Sequence, residues 1–92
     1  MPRPRRSRLQ VILDILATLE ERGPLPLSRL ATHANLPYDR LKPIVEELSG
    51  RGLIEIEQQK STLRAAITPR GSQVLHELRR LKRLLEDLGL DL

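Results

Sequence analysis

Cysteine is absent from this chain of 92 residues, which removes disulfides, thiol nucleophiles and cysteine-based zinc sites. A disulfide-free chain suits a cytoplasmic setting. Tryptophan and phenylalanine are missing as well, and Tyr38 is the one aromatic residue. Sites for single-stranded nucleic acid rely on aromatic platforms worth about 1–3 kcal/mol per stacked base, so the composition argues against a single strand as the main target. No apolar run reaches the roughly 18 residues of a membrane span. The basic start MPRPRRSR is not followed by a cleavage-site pattern, so neither a membrane partner nor a signal peptide is expected. His33 and His76 are isolated, Asp14, Glu20 and Glu21 have no serine or histidine at a useful spacing, and no glycine-rich phosphate loop occurs. These gaps leave no metal site, cofactor, small-molecule substrate or enzymatic centre to expect.

What is present is an ordinary globular balance, 39% hydrophobic and 30% charged, enough for a single modest core. The net charge of +4 is unevenly placed. Residues 1–8 hold four arginines and no acid, residues 9–68 are close to neutral, and the last segment carries Arg70, Arg79, Arg80, Lys82 and Arg83 before Glu86, Asp87 and Asp91. A basic excess at the periphery fits a polyanion touched by an arm and a helix, and it also fits a solvated helix face.

The chain is organised around NLPYDRLKPIVEELSGRG, residues 35–52. A first helix is predicted over about Arg8 to Glu21, opened by a Ser7 and Gln10 capping box, with Leu9, Val11, Ile12, Leu13, Ile15, Leu16 and Leu19 as its broad apolar side. Arg22-Gly23-Pro24 ends it, and Leu25-Pro26-Leu27 reads as a short edge strand on which proline is tolerated. Ser28 is placed to cap a second helix facing the first through Leu30, Ala31 and Ala34. The turn Asn35-Leu36-Pro37 leads into a third helix, Tyr38 to Ser49, whose Leu41, Ile44, Val45 and Leu48 form one buried face. Pro43 inside it predicts either a later start or a bend near Asp39 to Pro43. Gly50 and Gly52 stop the helix. Leu53 to Gln58 and Thr62 to Thr68 then alternate like two strands, with Gln59-Lys60-Ser61 as the tip. Thr68-Pro69 starts a last helix reaching about Leu88. In it Val74, Leu78, Leu81, Leu85 and Leu88 fall on a heptad seam beside Leu75 and Leu84.

The expected fold is mainly α with a small β-hairpin: a winged helix-turn-helix in the order α-β-α-α-β-β, plus a long C-terminal helix. The division is a basic arm at 1–7, the winged domain at 8–68 and a dimerisation helix at 69–92. Asn35-Leu36-Pro37-Tyr38 with Leu41-Lys42, then Leu48, Gly52-Leu53-Ile54 and Ile67-Thr68-Pro69-Arg70-Gly71, resemble the small archaeal winged-helix DNA-binding proteins that pair through a C-terminal coiled-coil helix. In that group the first of these stretches reads N-L-S-Y-x-x-L-K, so Pro37 here stands where the family often has a serine cap. The resemblance implies double-stranded DNA as the partner, bound by a nucleoid-associated dimer that acts as a transcriptional regulator or an architectural chromatin factor.

On that resemblance the third helix faces the major groove and the hairpin lies near the backbone. Arg40 and Lys42, with Tyr38 and Asp39 at the exposed front, are the candidates for contact, and arginine can bridge guanine at about 1–3 kcal/mol of discrimination. Tyr38 can also simply pack against Leu41 and Val45. Lys60 and Arg64 on the hairpin can reach phosphate. Arg3, Arg5, Arg6 and Arg8 resemble minor-groove or phosphate-coating tails. Val74, Leu78, Leu81, Leu85 and Leu88 would join two copies, parallel or, by preference, antiparallel. Glu46 and Glu47 count against deep insertion of the later half of the third helix, so that if DNA binds, the helix's N-terminal end is the part expected to approach. They keep open an alternative in which the domain docks proteins without touching DNA, with double-stranded RNA as a third possibility.

Overall fold

The computed structural model describes residues 6–90; Arg3 and Arg5 lie outside the described residues. Helix α1 spans Arg8–Arg22. Ser7 caps it as expected, its hydroxyl accepting from the Gln10 backbone N–H at 3.0 Å. The reciprocal half of the capping box is replaced by a tertiary contact. The Gln10 side chain donates to Asp14 at 2.8 Å and accepts from Lys82 of the last helix at 2.7 Å. Gly23, at φ 80°, closes α1 through its N–H to the Leu19 carbonyl.

Strand β1, Leu25–Pro26, pairs antiparallel with β3, Thr62–Ile67, through Leu25 to Ala65 and Pro26 to Arg64. Helix α2, Leu27–Ala34, starts two residues earlier than a Ser28 cap requires. Pro26 already holds the extended backbone of the capping position, φ −56° and ψ 145°, and it offers no side-chain bond. Buried Leu27 therefore opens the helix and Ser28 sits inside its first turn. Asn35 ends α2 in the left-handed conformation, φ 56° and ψ 48°, which asparagine adopts at lower cost than most residues.

Helix α3 is Tyr38–Gly50, following Pro37 directly. The later start allowed by Pro43 does not occur. Pro43 is exposed within the helix. Its missing N–H deprives the Asp39 carbonyl of its helical partner, one turn from the helix start. Asp39 is itself exposed, so water can replace that bond. Leu41, Val45 and Leu48 are buried, as their spacing predicts. Beyond α3 the Leu53 N–H returns to the Leu48 carbonyl at 3.0 Å, with Gly52 at φ 78° turning the chain.

Strand β2, Ile54–Gln59, and β3 form the hairpin in register from Ile54 opposite Ile67 to Gln59 opposite Thr62. The connection is thus two residues, Lys60-Ser61, with Lys60 at φ 55°. The sheet order is β1-β3-β2. Helix α4, Pro69–Asp87, begins at Thr68, whose hydroxyl accepts from the Gly71 N–H at 2.9 Å and donates to the Gly52 carbonyl at 2.7 Å. One side chain therefore caps α4 and ties it to the α3–β2 connection.

A single apolar core joins Ile15, Leu16 and Leu19 of α1 to Leu27 and Leu30 of α2, Leu41 and Val45 of α3, Ile54 and Ala65 of the sheet, and Leu75 of α4. Among the described residues no polar or charged residue is buried. Helix α4 runs antiparallel along α1. Ser72 and His76 lie against Glu20 at one end and Lys82 against Gln10 at the other. Only part of the α4 seam is used in this way. Leu75 is fully buried and Leu78 packs on the core, while Leu81, Leu84 and Leu88 are 46%, 53% and 73% exposed.

Candidate nucleic-acid interface

The front of α3 is open. Tyr38, Asp39 and Arg40 are exposed in its first turn and Lys42 is half-buried just behind. Local sequence sets this edge: left-handed Asn35 reverses the chain, Leu36 buries beneath the turn with its N–H on the Ala31 carbonyl at 2.9 Å, and Pro37 delivers an extended entry to the helix. The carbonyl of Pro37 accepts from Arg40 and Leu41, each at 3.0 Å. Pro37 brings no capping hydroxyl, and Asp39 supplies the acidic first-turn charge that favours a helix start.

Two hollows flank this front. One, of about 550 Å³, is lined by Arg6, Val11, Asn35, Leu36 and Arg40. It places an arm arginine and an α3 arginine on the same opening. The other, of about 210 Å³, is lined by Leu27, Ser28, Tyr38, Ser61, Thr62 and Leu63. It brings the start of α3 next to the tip of the β2–β3 hairpin. Tyr38 is 41% exposed, so its ring both lines that hollow and meets solvent.

The arginines are not all free to reach outward. Arg6 donates to Asp14 at 2.8 Å and to the Asn35 carbonyl at 3.0 Å, which fastens it beside the turn. Arg8, grouped with the arm by sequence, is the first residue of α1 and pairs with Glu47 of α3. Arg64 folds back along the sheet and donates to Gln59 and to the Pro24 carbonyl, each at 3.2 Å. Its Nε is buried without a partner. Lys60 is exposed at the hairpin turn and makes no ion pair among the described residues.

Two residues outside the sequence-based candidates form a charged cluster toward the C-terminal end of α3. Arg51, the C-cap of α3, donates to Glu47 at 3.2 Å, so Glu47 holds Arg8 and Arg51 together. The i,i+4 spacing of Glu47 and Arg51 was legible in the sequence. The approach of Arg8 across 39 positions was not. The hydrogen bond from Arg51, followed by the charge of Arg8, holds the Glu47 carboxyl below its ordinary value of 4.5.

This layout of three core helices, an antiparallel hairpin with a short third strand and a fourth helix has known counterparts. The chain belongs to the winged helix-turn-helix family, whose profile matches residues 5–86. Among solved structures it is similar to Sso10a-2, a DNA-binding protein from Sulfolobus solfataricus, with TM-score 0.82 and 19% identity over 91% of this chain and 86% of that one. It is also similar to YusO from Bacillus subtilis, with TM-score 0.78 and 18% identity over 87% of this chain. The transcriptional regulator BldR from Sulfolobus solfataricus gives TM-score 0.75 and 24% identity over 86% of this chain. The chain spans 59% of the length of both YusO and BldR. No curated protein matches it in sequence. Among the described residues no helix is long and apolar enough to cross a membrane.

Proposed function

We propose that this protein binds double-stranded DNA as a homodimer and serves as a transcriptional regulator or an architectural chromatin factor in the nucleoid. The observation that carries this is the open front of α3, with Arg40 and Arg6 sharing one hollow and Tyr38 beside the hairpin tip. In this mechanism the first turn of α3 enters the major groove with Arg40 and Lys42, and Asp39 limits the approach of phosphate to its own side. Lys60 at the wing meets the backbone. Arg3, Arg5 and Arg6 extend the contact as an arm, Arg8 adds to it from the start of α1 once it leaves Glu47, and Arg64 adds to it from the wing once it leaves Pro24. Cations meeting phosphates release condensed counterions, so affinity comes mainly from charge and base readout is limited.

The second copy is assigned to α4. Leu81, Leu84 and Leu88 are exposed on it, continuous with half-buried Val74 and Leu85 and with Leu78 on the core. Apolar side chains aligned along one helix are stabilised by burial at about 25 cal/mol per Å², and a matching helix from another copy supplies that burial.

The test is fluorescence anisotropy with a labelled duplex across a salt series. Binding should weaken steeply as salt rises, and Arg40→Ala with Lys42→Ala should lower affinity without loss of fold. Absent or salt-independent binding counts decisively against the proposal. A protein-docking role is favoured by exposed Glu46 on α3 and by Glu55 and Glu57 on β2; under that role the double substitution leaves duplex binding unaltered. Competition by duplex RNA distinguishes the two nucleic acids.

A further inference from the structure

We propose that Glu47 is a positioning residue for duplex binding: in the free protein its carboxylate holds Arg8 and Arg51 in the place that a phosphate takes in the complex. This rests on the proposed DNA-binding role and names a device within it. Two guanidinium groups from separate elements, the start of α1 and the end of α3, converge on this one carboxylate. All three side chains are substantially exposed, Arg51 at 68%, Arg8 at 59% and Glu47 at 44%, so the cluster does not serve the core. A carboxylate and a phosphate offer the same paired oxygens to a guanidinium fork. Arg6 repeats the pattern with Asp14 beside the turn. Both described arginines of the N-terminal segment are thus held by carboxylates of the winged domain. Neighbouring Glu46 is also exposed on α3 and makes no ion pair among the described residues.

The exchange changes ion accounting in a measurable way. A free cation that meets a phosphate releases a condensed counterion, and the slope of log affinity against log salt steepens by about 0.9 per contact on B-form DNA. An arginine that leaves Glu47 exposes a carboxylate, which gathers a cation from solution. Net release for that contact is then close to zero. Glutamine at position 47 gathers none, so the same contact counts in full.

The experiment compares wild type, Glu47→Gln and Glu46→Gln by duplex anisotropy across a salt series, with thermal melts confirming the fold. Glu46→Gln removes the same charge from the same helix without freeing an arginine. Glu47→Gln should steepen the slope by about 0.9 in total, since one carboxylate gathers one cation whether one or both of its arginines reach a phosphate. At low salt it should bind about two- to fivefold more tightly, the scale of one exposed ion pair no longer broken on binding. Glu46→Gln should leave the slope unchanged. Arg8→Gln should weaken binding more in the Glu47→Gln background than in wild type. If Glu47→Gln behaves like Glu46→Gln, or binds less tightly than wild type, Glu47 is only a surface staple and the inference is overturned while DNA binding stands. A wild-type protein that binds no duplex overturns both.

Discussion

Gly71 offers the sharpest quantitative test of how α4 is seated. It is buried in the first turn of that helix, and a Cβ built on it would lie 2.1 Å from the Leu53 carbonyl oxygen and 2.8 Å from Ile67 Cγ1. Ordinary contact begins at 3.4 Å, so the α4 start and the α3–β2 connection would have to separate by about 1.3 Å. That carbonyl cannot move cheaply. It accepts from the Thr68 N–H at 3.1 Å, and the Leu53 N–H is committed to Leu48 at 3.0 Å. Overpacking a tight site costs about 1–3 kcal/mol, and an obstacle made of hydrogen-bonded backbone belongs at the upper end. Alanine in place of glycine in a helix returns about 1 kcal/mol. The net expectation for Gly71→Ala is a loss of about 2 kcal/mol, using those two ranges. For a domain of this size each kcal/mol moves Tm by about 4–8 °C, so the melt should fall by roughly 8–16 °C. The assay is a circular-dichroism melt at one fixed protein concentration, since the proposed dimer would make Tm concentration-dependent. Gly50→Ala is the control. Gly50 closes α3 with nothing within 4 Å of a built Cβ, and the change should be neutral or stabilising by up to about 1 kcal/mol. A Gly71→Ala protein that melts at or above the wild-type temperature would refute the packing argument.

Three further outcomes follow from the same geometry. Thr68→Ala should destabilise by about 1–2 kcal/mol because it removes the cap of α4, and the link to the Gly52 carbonyl goes with it; denaturant unfolding checks this, and Thr68→Ser should recover most of the loss. Leu81→Glu should abolish association in sedimentation at micromolar concentration while leaving the melt of the monomer fold nearly unaltered, because Leu81 is 46% exposed within one chain; a stable wild-type monomer would dispose of the dimer. The Glu47 carboxyl should titrate below 4.5 by NMR and move back up in Arg51→Ala. Because its folded pKa is lowered, its contribution to stability is present above 4.5 and is lost as pH falls through the lowered value.

Local rules determined much of this protein. The 3.6-residue spacing of Leu41, Val45 and Leu48 fixed the buried face of α3, alternation through Ile54 and Ile56 and through Leu63 and Ala65 fixed the hairpin, and Thr68-Pro69 fixed the start of α4. Each depends on neighbours within a few positions, so the linear order suffices. The start of α2 departs from the sequence expectation because Pro26, paired opposite Arg64 in the sheet, supplies the extended cap position in place of Ser28.

Long-range placement decided the rest. Sequence alone marks Arg6, Arg8 and Arg64 as basic, yet packing turns them toward Asp14, Glu47 and Pro24. It likewise divides one leucine-rich helix between Leu75 in the core and Leu81, Leu84 and Leu88 at the surface. A helix pattern states which residues share a face, whereas the angle at which α4 crosses α1 states how much of that face its own chain can cover. Charge is subject to the same limit: its sign is written in the residue, and its partner exists only after distant segments meet.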